Sequence, residues 1–321
     1  MWYETIIGNE IFEAKKFLEQ GETVGIPTET VYGLAANALN QDAVIKIFSV
    51  KNRPHFDPLI VHTHSTAEIE KYVTDIPNTA LLLMKAFMPG PLTLLLKKKE
   101  NIPDLVTSGL ETVAIRVPNH PLTLALLKEL NFPLAAPSAN PFGYISPTSA
   151  YHVYDQLHGR IPYILDGGPT EVGLESTIVG FENNEAVVYR LGGLAVEEIE
   201  KVAGKVSLAV NESSNPQSPG MLKSHYAPQK KLRIIEWDDA KRSNIQNSNA
   251  GVIAFDKCVE GVDMKNQILL SMKGDLKEAA KNLFAAMRQL DNSEVEIIYA
   301  VKFPETGLGK AINDRLKRAS V

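Results

Sequence analysis

Ile26-Pro27-Thr28-Glu29-Thr30-Val31-Tyr32-Gly33-Leu34 interrupts an apolar run with a row of hydroxyls. Thr23, Val24, Gly25 and Ile26 read as a buried strand, and Pro27 cannot donate to a ladder, so pairing should stop there. If the chain stays extended beyond it, Thr28, Thr30 and Tyr32 at i, i+2 and i+4 present three hydroxyls on one face. The alternative is a hydrogen-bonded turn that only closes the strand.

Outward from this stretch, Lys51-Asn52-Arg53-Pro54 follows an amphipathic run (Val44, Ile45, Ile47, Phe48) and precedes the strand Pro58 to His62. Cations at a helix C-terminus are often solvated and favourable to the helix dipole. A fork-shaped arginine beside a compact ammonium also suits phosphate oxygens. Ala135-Ala136-Pro137-Ser138-Ala139-Asn140-Pro141 repeats the first design, an apolar strand running into small polar groups between prolines. Glu175-Ser176-Thr177-Ile178-Val179 and Val188-Tyr189-Arg190-Leu191-Gly192-Gly193 add another serine and another arginine near strands.

Elements alternate along the first 200 residues or so. Asn9 to Gln20 reads as a helix stopped by Gly21, and Ser65-Thr66-Ala67-Glu68 as a capping box before Ile69. Thr79 to Phe87 reads as a helix. Strands are expected at Leu92 to Leu96, Val113 to Val117, Leu134 to Ala136 and Tyr163 to Leu165. Asn183-Asn184 should join Thr177 to Phe181 and Ala186 to Tyr189 as a hairpin. Residues 207–230 are rich in linker residues, yet run into Met221, His225, Tyr226 and Pro228, which a mere spacer does not need. From Leu232 a second α/β unit begins, with strands near 232–235, 251–255, 268–271 and 295–301, a helix at Leu276 to Leu290 and a last one at Ala311 to Arg318. Gly307-Leu308-Gly309-Lys310 matches neither phosphate-binding glycine motif.

A length of 321 residues, 44% hydrophobic and 22% charged, fits about two ordinary globular domains. The single cysteine, Cys258, rules out an internal disulfide and a cysteine-rich zinc site. Without a basic, apolar leader or a membrane-length run, the expected location is the cytoplasm, with no membrane partner. A net charge of −5 argues against wrapping nucleic acid with the whole surface. A local basic cavity remains compatible with it, and Lys97-Lys98-Lys99 reads as a solvated strand end or an addition to such a patch.

The motifs PTETVYGLA, KNRP, PLIVH, MPGPLTLLL, AIRVP, APSAN, ESTIV and RLGG occur in order from about Ile6 to Leu194, and SPGMLKSHYAP follows. With them the chain resembles the threonylcarbamoyl-adenylate synthases, in their long, two-domain form with a YrdC-like catalytic domain. The resemblance implies an α/β fold: a YrdC-like mixed twisted sheet with helices, then a smaller Rossmann-like α/β domain. The expected division is catalytic domain 1–206, a linker over 207–230 that closes the active site, and a C-terminal domain over 231–321.

The implied activity is that of a nucleotidyltransferase joining L-threonine, bicarbonate or CO2, and ATP into threonylcarbamoyl-AMP and pyrophosphate, for threonylcarbamoyladenosine in tRNA. Mg2+ is expected with the triphosphate and no protein metal site. The implied partner is the downstream tRNA threonylcarbamoyl transferase machinery. By the same resemblance, threonine sits near Thr30, Tyr32, His62, Arg116, Ala136 and Ser176, with Thr28 shaping the pocket. ATP is met by Lys51, Arg53 and Asp57, by Thr112, Ser138 and Asn140, and by Ser146, Arg190 and Tyr226. Lys51 and Arg53 are the expected catalytic cations, outside the core, because two anionic partners must be aligned and their charge neutralised. Tyr226 implies a lid that holds water off a reactive anhydride. A fragment lacking only the domain after about Leu232 is expected to keep that lid. The competing class is an RNA-binding module: the concave basic surface of YrdC-like domains implies weak RNA binding, and the net charge disfavours it as the main activity. A carbamoyl-transfer enzyme on a similar domain is the other rival.

Overall fold

The structure, a computed structural model, describes residues 2–209, 218–219, 225–238, 245 and 249–321. Met221 and most of the stretch expected to form the linker, 210–217 and 220–224, lie outside the described residues.

Eleven strands build the first sheet: β1 (Ile6–Gly8), β2 (Val24–Ile26), β3 (Gly33–Asn37), β4 (Ile60–His62), β5 (Leu92–Lys97), β6 (Thr112–Arg116), β7 (Leu134–Ala135), β8 (Tyr163–Leu165), β9 (Thr177–Glu182), β10 (Glu185–Arg190) and β11 (Ser207–Leu208). Their order is β1-β8-β2-β3-β7-β4-β6-β5-β9-β10-β11, with parallel and antiparallel neighbours mixed. The expected mixed sheet is therefore present. β11, inside the stretch read as linker, pairs with β10 and extends it.

Four parallel strands form the second sheet: β12 (Lys231–Ile235), β13 (Ala250–Ala254), β14 (Gln267–Leu269) and β15 (Ile297–Val301), in the order β12-β15-β13-β14. Helix Leu276–Asp291 starts at Asp275, whose carboxylate accepts from the Lys277 N–H. It buries Ala279, Ala280, Leu283, Phe284, Met287 and Leu290, the 3- and 4-residue spacing of one helix face. That apolar cluster extends across the boundary to Val31, Ile145, Leu174 and Tyr226. The two units therefore share a core beside the first sheet's polar strand ends.

Local chemistry explains most boundaries. Asn183 and Asn184 both adopt positive φ, at 49° and 67°, the geometry of the tight hairpin joining β9 to β10. The terminal helix spans Leu308–Ala319 and so begins earlier than expected. Gly309 is needed there, because a Cβ would meet Pro304 O at 1.9 Å. The expected capping box at Ser65 does not form: the helix is only Thr66–Ile69 and Ser65 makes no side-chain cap. The carbonyl of Ser65 instead accepts from Thr63 Oγ1 at 3.1 Å.

Candidate active site

The registers of the first sheet bring its polar ends together. His62 at the end of β4 is opposite Arg116 at the end of β6. Leu92 opposite Thr177 sets Ser176 beside the start of β5, where the Thr93 and Ser176 hydroxyls meet at 2.7 Å. Arg190 ends β10 opposite Ile178. Gly33 bridges Ser138, fixing the loop after β7 against the start of β3. These ends surround a small cavity of about 50 Å³.

Arg53, Arg116 and Arg190 line this cavity, with hydroxyls from Thr28, Thr30, Ser138 and Ser176 and an apolar wall from Val31, Ile60 and Ala136. Arg53 is turned inward by Asn52, which ends helix Gln41–Lys51 in the left-handed region (φ 53°) while the Arg53 N–H donates to Phe48 O. Arg53 Nη2 pairs with Asp57 Oδ2 at 2.8 Å and donates to Pro58 O at 2.8 Å, and Nε donates to Asp57 O at 3.1 Å. Arg116 Nη2 meets Glu29 Oε1 at 2.7 Å, and Nε donates to Gly90 O at 3.1 Å. Arg190 Nε and Nη2 donate to Ser176 O at 3.0 and 2.9 Å, and Nη1 donates to Pro219 O at 3.2 Å. Each cation is thus held by backbone or carboxylate on one side, which pre-orients it at little cost during reaction.

His62 also lines the cavity and is buried; burial, then the Arg116 charge, brings its pKa down to about 3. It is a neutral, weakly basic ring at ordinary pH, which disfavours a proton-accepting role for it. Nδ1 lies 3.1 Å from Ile60 O.

Several expected site residues stand elsewhere. Thr28 and Thr30 line the cavity but Tyr32 does not. The Thr28 hydroxyl accepts from the Thr30 and Val31 N–H groups and donates to Val31 O, so the chain bends and the extended i, i+2, i+4 alignment is lost. The Tyr32 hydroxyl donates instead to Gly168 O at 2.7 Å. Lys51 is buried beneath the cavity, its ammonium donating to the carbonyls of Ser138 and Asn140. Burial, then Arg53, holds its pKa well below that of a free lysine. The expectation that Lys51 and Arg53 lie outside the core is therefore overturned: both are buried. Asp57 serves as the counter-ion of Arg53, and Asn140 Nδ2 donates to Pro141 O and Tyr144 O. Ser146 Oγ donates to Glu175 Oε1 at 2.5 Å. Thr112 opens β6 opposite Lys97, four residues from Arg116, about 13 Å along a strand. The structure does not bring it to the cavity.

Sequence reasoning missed Glu29 and Glu175, carboxylates that hold arginines, and His225 and Pro219, which line the cavity with Tyr226. Gly192 signalled one of them: a Cβ there would meet Glu175 O at 2.3 Å, so only glycine lets the Arg190 turn close on that segment. Tyr226 has positive φ, 65°, and its ring centroid is 4.1 Å from that of His225 and 5.6 Å from that of Phe284. The carboxylates nearest the cavity, Glu29, Asp57 and Glu175, are each paired with an arginine. That donor set does not fit a protein-held magnesium.

Fold and cavity together define a mixed-sheet α/β enzyme of YrdC-like type, with an arginine- and hydroxyl-lined pocket at its strand ends. Residues 16–192 match the family described as "Telomere recombination" and residues 194–321 the family described as "Threonylcarbamoyl-AMP synthase, C-terminal domain". The chain belongs to the threonylcarbamoyl-AMP synthase family. It is 42% identical to the threonylcarbamoyl-AMP synthase of Pyrococcus abyssi, over 96% of this chain and 93% of that protein. It is 41% identical to that of Bacillus subtilis strain 168, over 97% and 93%. The crystal structure of P. abyssi Sua5 complexed with L-threonine superposes with a TM-score of 0.90, at 39% identity, covering 100% of this chain and 98% of that one. Among the described residues no helix is long and apolar enough to cross a membrane.

Proposed function

We propose that this chain is an L-threonylcarbamoyladenylate synthase that supplies the activated intermediate for threonylcarbamoyladenosine in tRNA. The observation that carries this reading is the convergence of Arg53, Arg116 and Arg190 on one hydroxyl-lined cavity. The threonine amine and bicarbonate give a carbamate and water. A carbamate oxygen then attacks the α-phosphorus of ATP, and the bond to pyrophosphate breaks. Both partners are anions, so positioned cations do most of what a protein can do.

Arg116 meets the threonine carboxylate, while Thr30, Ser176 and the Ala136 backbone orient the amino acid. Val31 and Ile60 receive its methyl group. Arg53 and Arg190 face the phosphates with Ser138, and Lys51 acts one step back, holding the Ser138 to Asn140 loop to which it is bonded. Tyr226 and His225 roof the nucleotide side and exclude water. Magnesium, when it enters, is carried by the triphosphate and water.

Units 1–206 and 231–321 work as catalytic and supporting domains in the cytoplasm, the product passing to a tRNA-modifying transferase. Purified protein with ATP, threonine and bicarbonate tests the reading. Threonylcarbamoyl-AMP and pyrophosphate should form in equal amounts and only when all three are present; ATP hydrolysis indifferent to threonine refutes it.

A further inference from the structure

Glu175 is the only acidic side chain lining the cavity among the described residues. It stands among cations meant for an anionic ligand, so something must neutralise it. Its partner comes from the other unit. Arg315, on helix Leu308–Ala319, is completely buried and donates from Nε to Glu175 Oε2 at 2.8 Å. Nη2 donates to Leu191 O at 2.7 Å, next to Arg190, and Nη1 pairs with Asp314 at 2.7 Å. The guanidinium carbon lies 5.0 Å from the ring centroid of Tyr226. One side chain of the second unit thus touches the cavity's acid, the turn that carries Arg190, and the aromatic roof.

We propose that Arg315 is a positioning residue of the active site, through which the second unit prepares the nucleotide side of the pocket. The proposal rests on the adenylate-synthase reading. With Arg315 in place, Glu175 is a fixed acceptor for Ser146 Oγ at 2.5 Å. Without it, an unpaired carboxylate faces the incoming triphosphate and competes for Arg190. Like charges brought together in a site of low polarity repel strongly. ATP should suffer more than threonine, whose carboxylate partner Arg116 is held independently by Glu29.

The test is calorimetric ATP binding and steady-state synthesis with Arg315→Gln, Arg315→Lys, Glu175→Gln and the Arg315→Gln/Glu175→Gln pair. Lys310→Ala is the control: it breaks another contact between the units, Lys310 Nζ to Glu197 at 2.8 Å. Coupling between separate sites is typically about 5- to 150-fold in affinity, so Arg315→Gln should raise the ATP Kd and KM roughly 10- to 100-fold, with threonine KM within about twofold. Removing the stranded carboxylate in the double variant should restore ATP binding to within about threefold of wild type, as repulsion by Glu175 requires. Arg315→Lys should fall between, and serves in place of Arg315→Gln if that variant does not fold.

Unchanged ATP binding in the Arg315 variants overturns the proposal. So does a double variant no better than the single one, or an equal loss in Lys310→Ala, either of which marks Arg315 as an ordinary interface contact. A wild-type protein that binds ATP but makes no threonylcarbamoyl-AMP refutes the functional reading instead, and the two failures are distinct.

Discussion

The guanidinium of Arg116 meets the carboxylate of Glu29 at 2.7 Å, and the same carboxylate accepts from the Asn119 N–H at 3.0 Å. Both side chains are buried, so the arginine is aimed before any ligand arrives. Arg116→Ala should therefore weaken threonine far more than ATP. Losing a hydrogen bond to the charged carboxylate of threonine costs about 1.5–3 kcal/mol. Threonine and ATP titrations of the variant check this, and a loss confined to ATP would reverse the assignment. Glu29→Gln should keep the fold and lose threonine affinity by a smaller factor.

Arg53 and Asp57 form a buried pair at 2.8 Å. Arg53→Ala should lower synthesis roughly 10²- to 10³-fold, the usual effect of removing a contact to transition-state charge. It also strands Asp57, at a cost of about 3–5 kcal/mol in stability. Adding Asp57→Asn should recover the melting temperature but leave turnover low. Recovery of both would make Arg53 structural only.

Serine in place of threonine should be used about 10- to 200-fold less efficiently, because the methyl group has a wall to fill. Val31, Ile60 and Ala136 form that wall. Equal kcat/KM for the two amino acids would put the side chain somewhere else.

Tyr226→Ala should release more free AMP and less adenylate, measured as the ratio of AMP to threonylcarbamoyl-AMP. Deleting the chain after Leu232 should be at least as damaging, against the milder effect expected from sequence. The Tyr226 ring leans on Phe284 and Arg315, both in the deleted part, so the roof loses its support. A deletion that leaves the product ratio of the full chain would show that the roof stands alone.

His62 binds a proton in the unfolded chain near pH 6.5 but only near about 3 in the native site, where burial opposes it. Its contribution to stability is complete above pH 6.5 and is lost as pH falls toward 3, by about 1.4 kcal/mol per pH unit. Urea denaturation at pH 7, 6 and 5 should show a steeper loss in wild type than in His62→Gln, the difference being the His62 share. A signal assigned to the His62 imidazole and titrating near 6.5 in the folded protein would contradict the buried, neutral ring.

The sequence determined most of the scaffold. Alternating apolar strands, the Asn183-Asn184 turn and the spacing of Ala279, Leu283, Phe284, Met287 and Leu290 are local signals, and local geometry answered them. It also marked the segments that carry Arg53, Arg116, Ser138, Ser176 and Arg190, since each sets polar groups at an end of an apolar helix or strand. Direction within those loops was another matter. Tyr32 and Lys51 point away from the cavity because one bend at Thr28 and two carbonyls from Ser138 and Asn140 capture them. Thr112 shares a strand with Arg116 and still ends up at its far end. Partners distant in the chain were decided only on folding: Glu29 finds Arg116, and Glu175 finds Arg315 140 residues on. A strand pattern fixes which side chains share a face, whereas a buried charge is satisfied by whichever opposite group the packed sheets bring within about 3 Å.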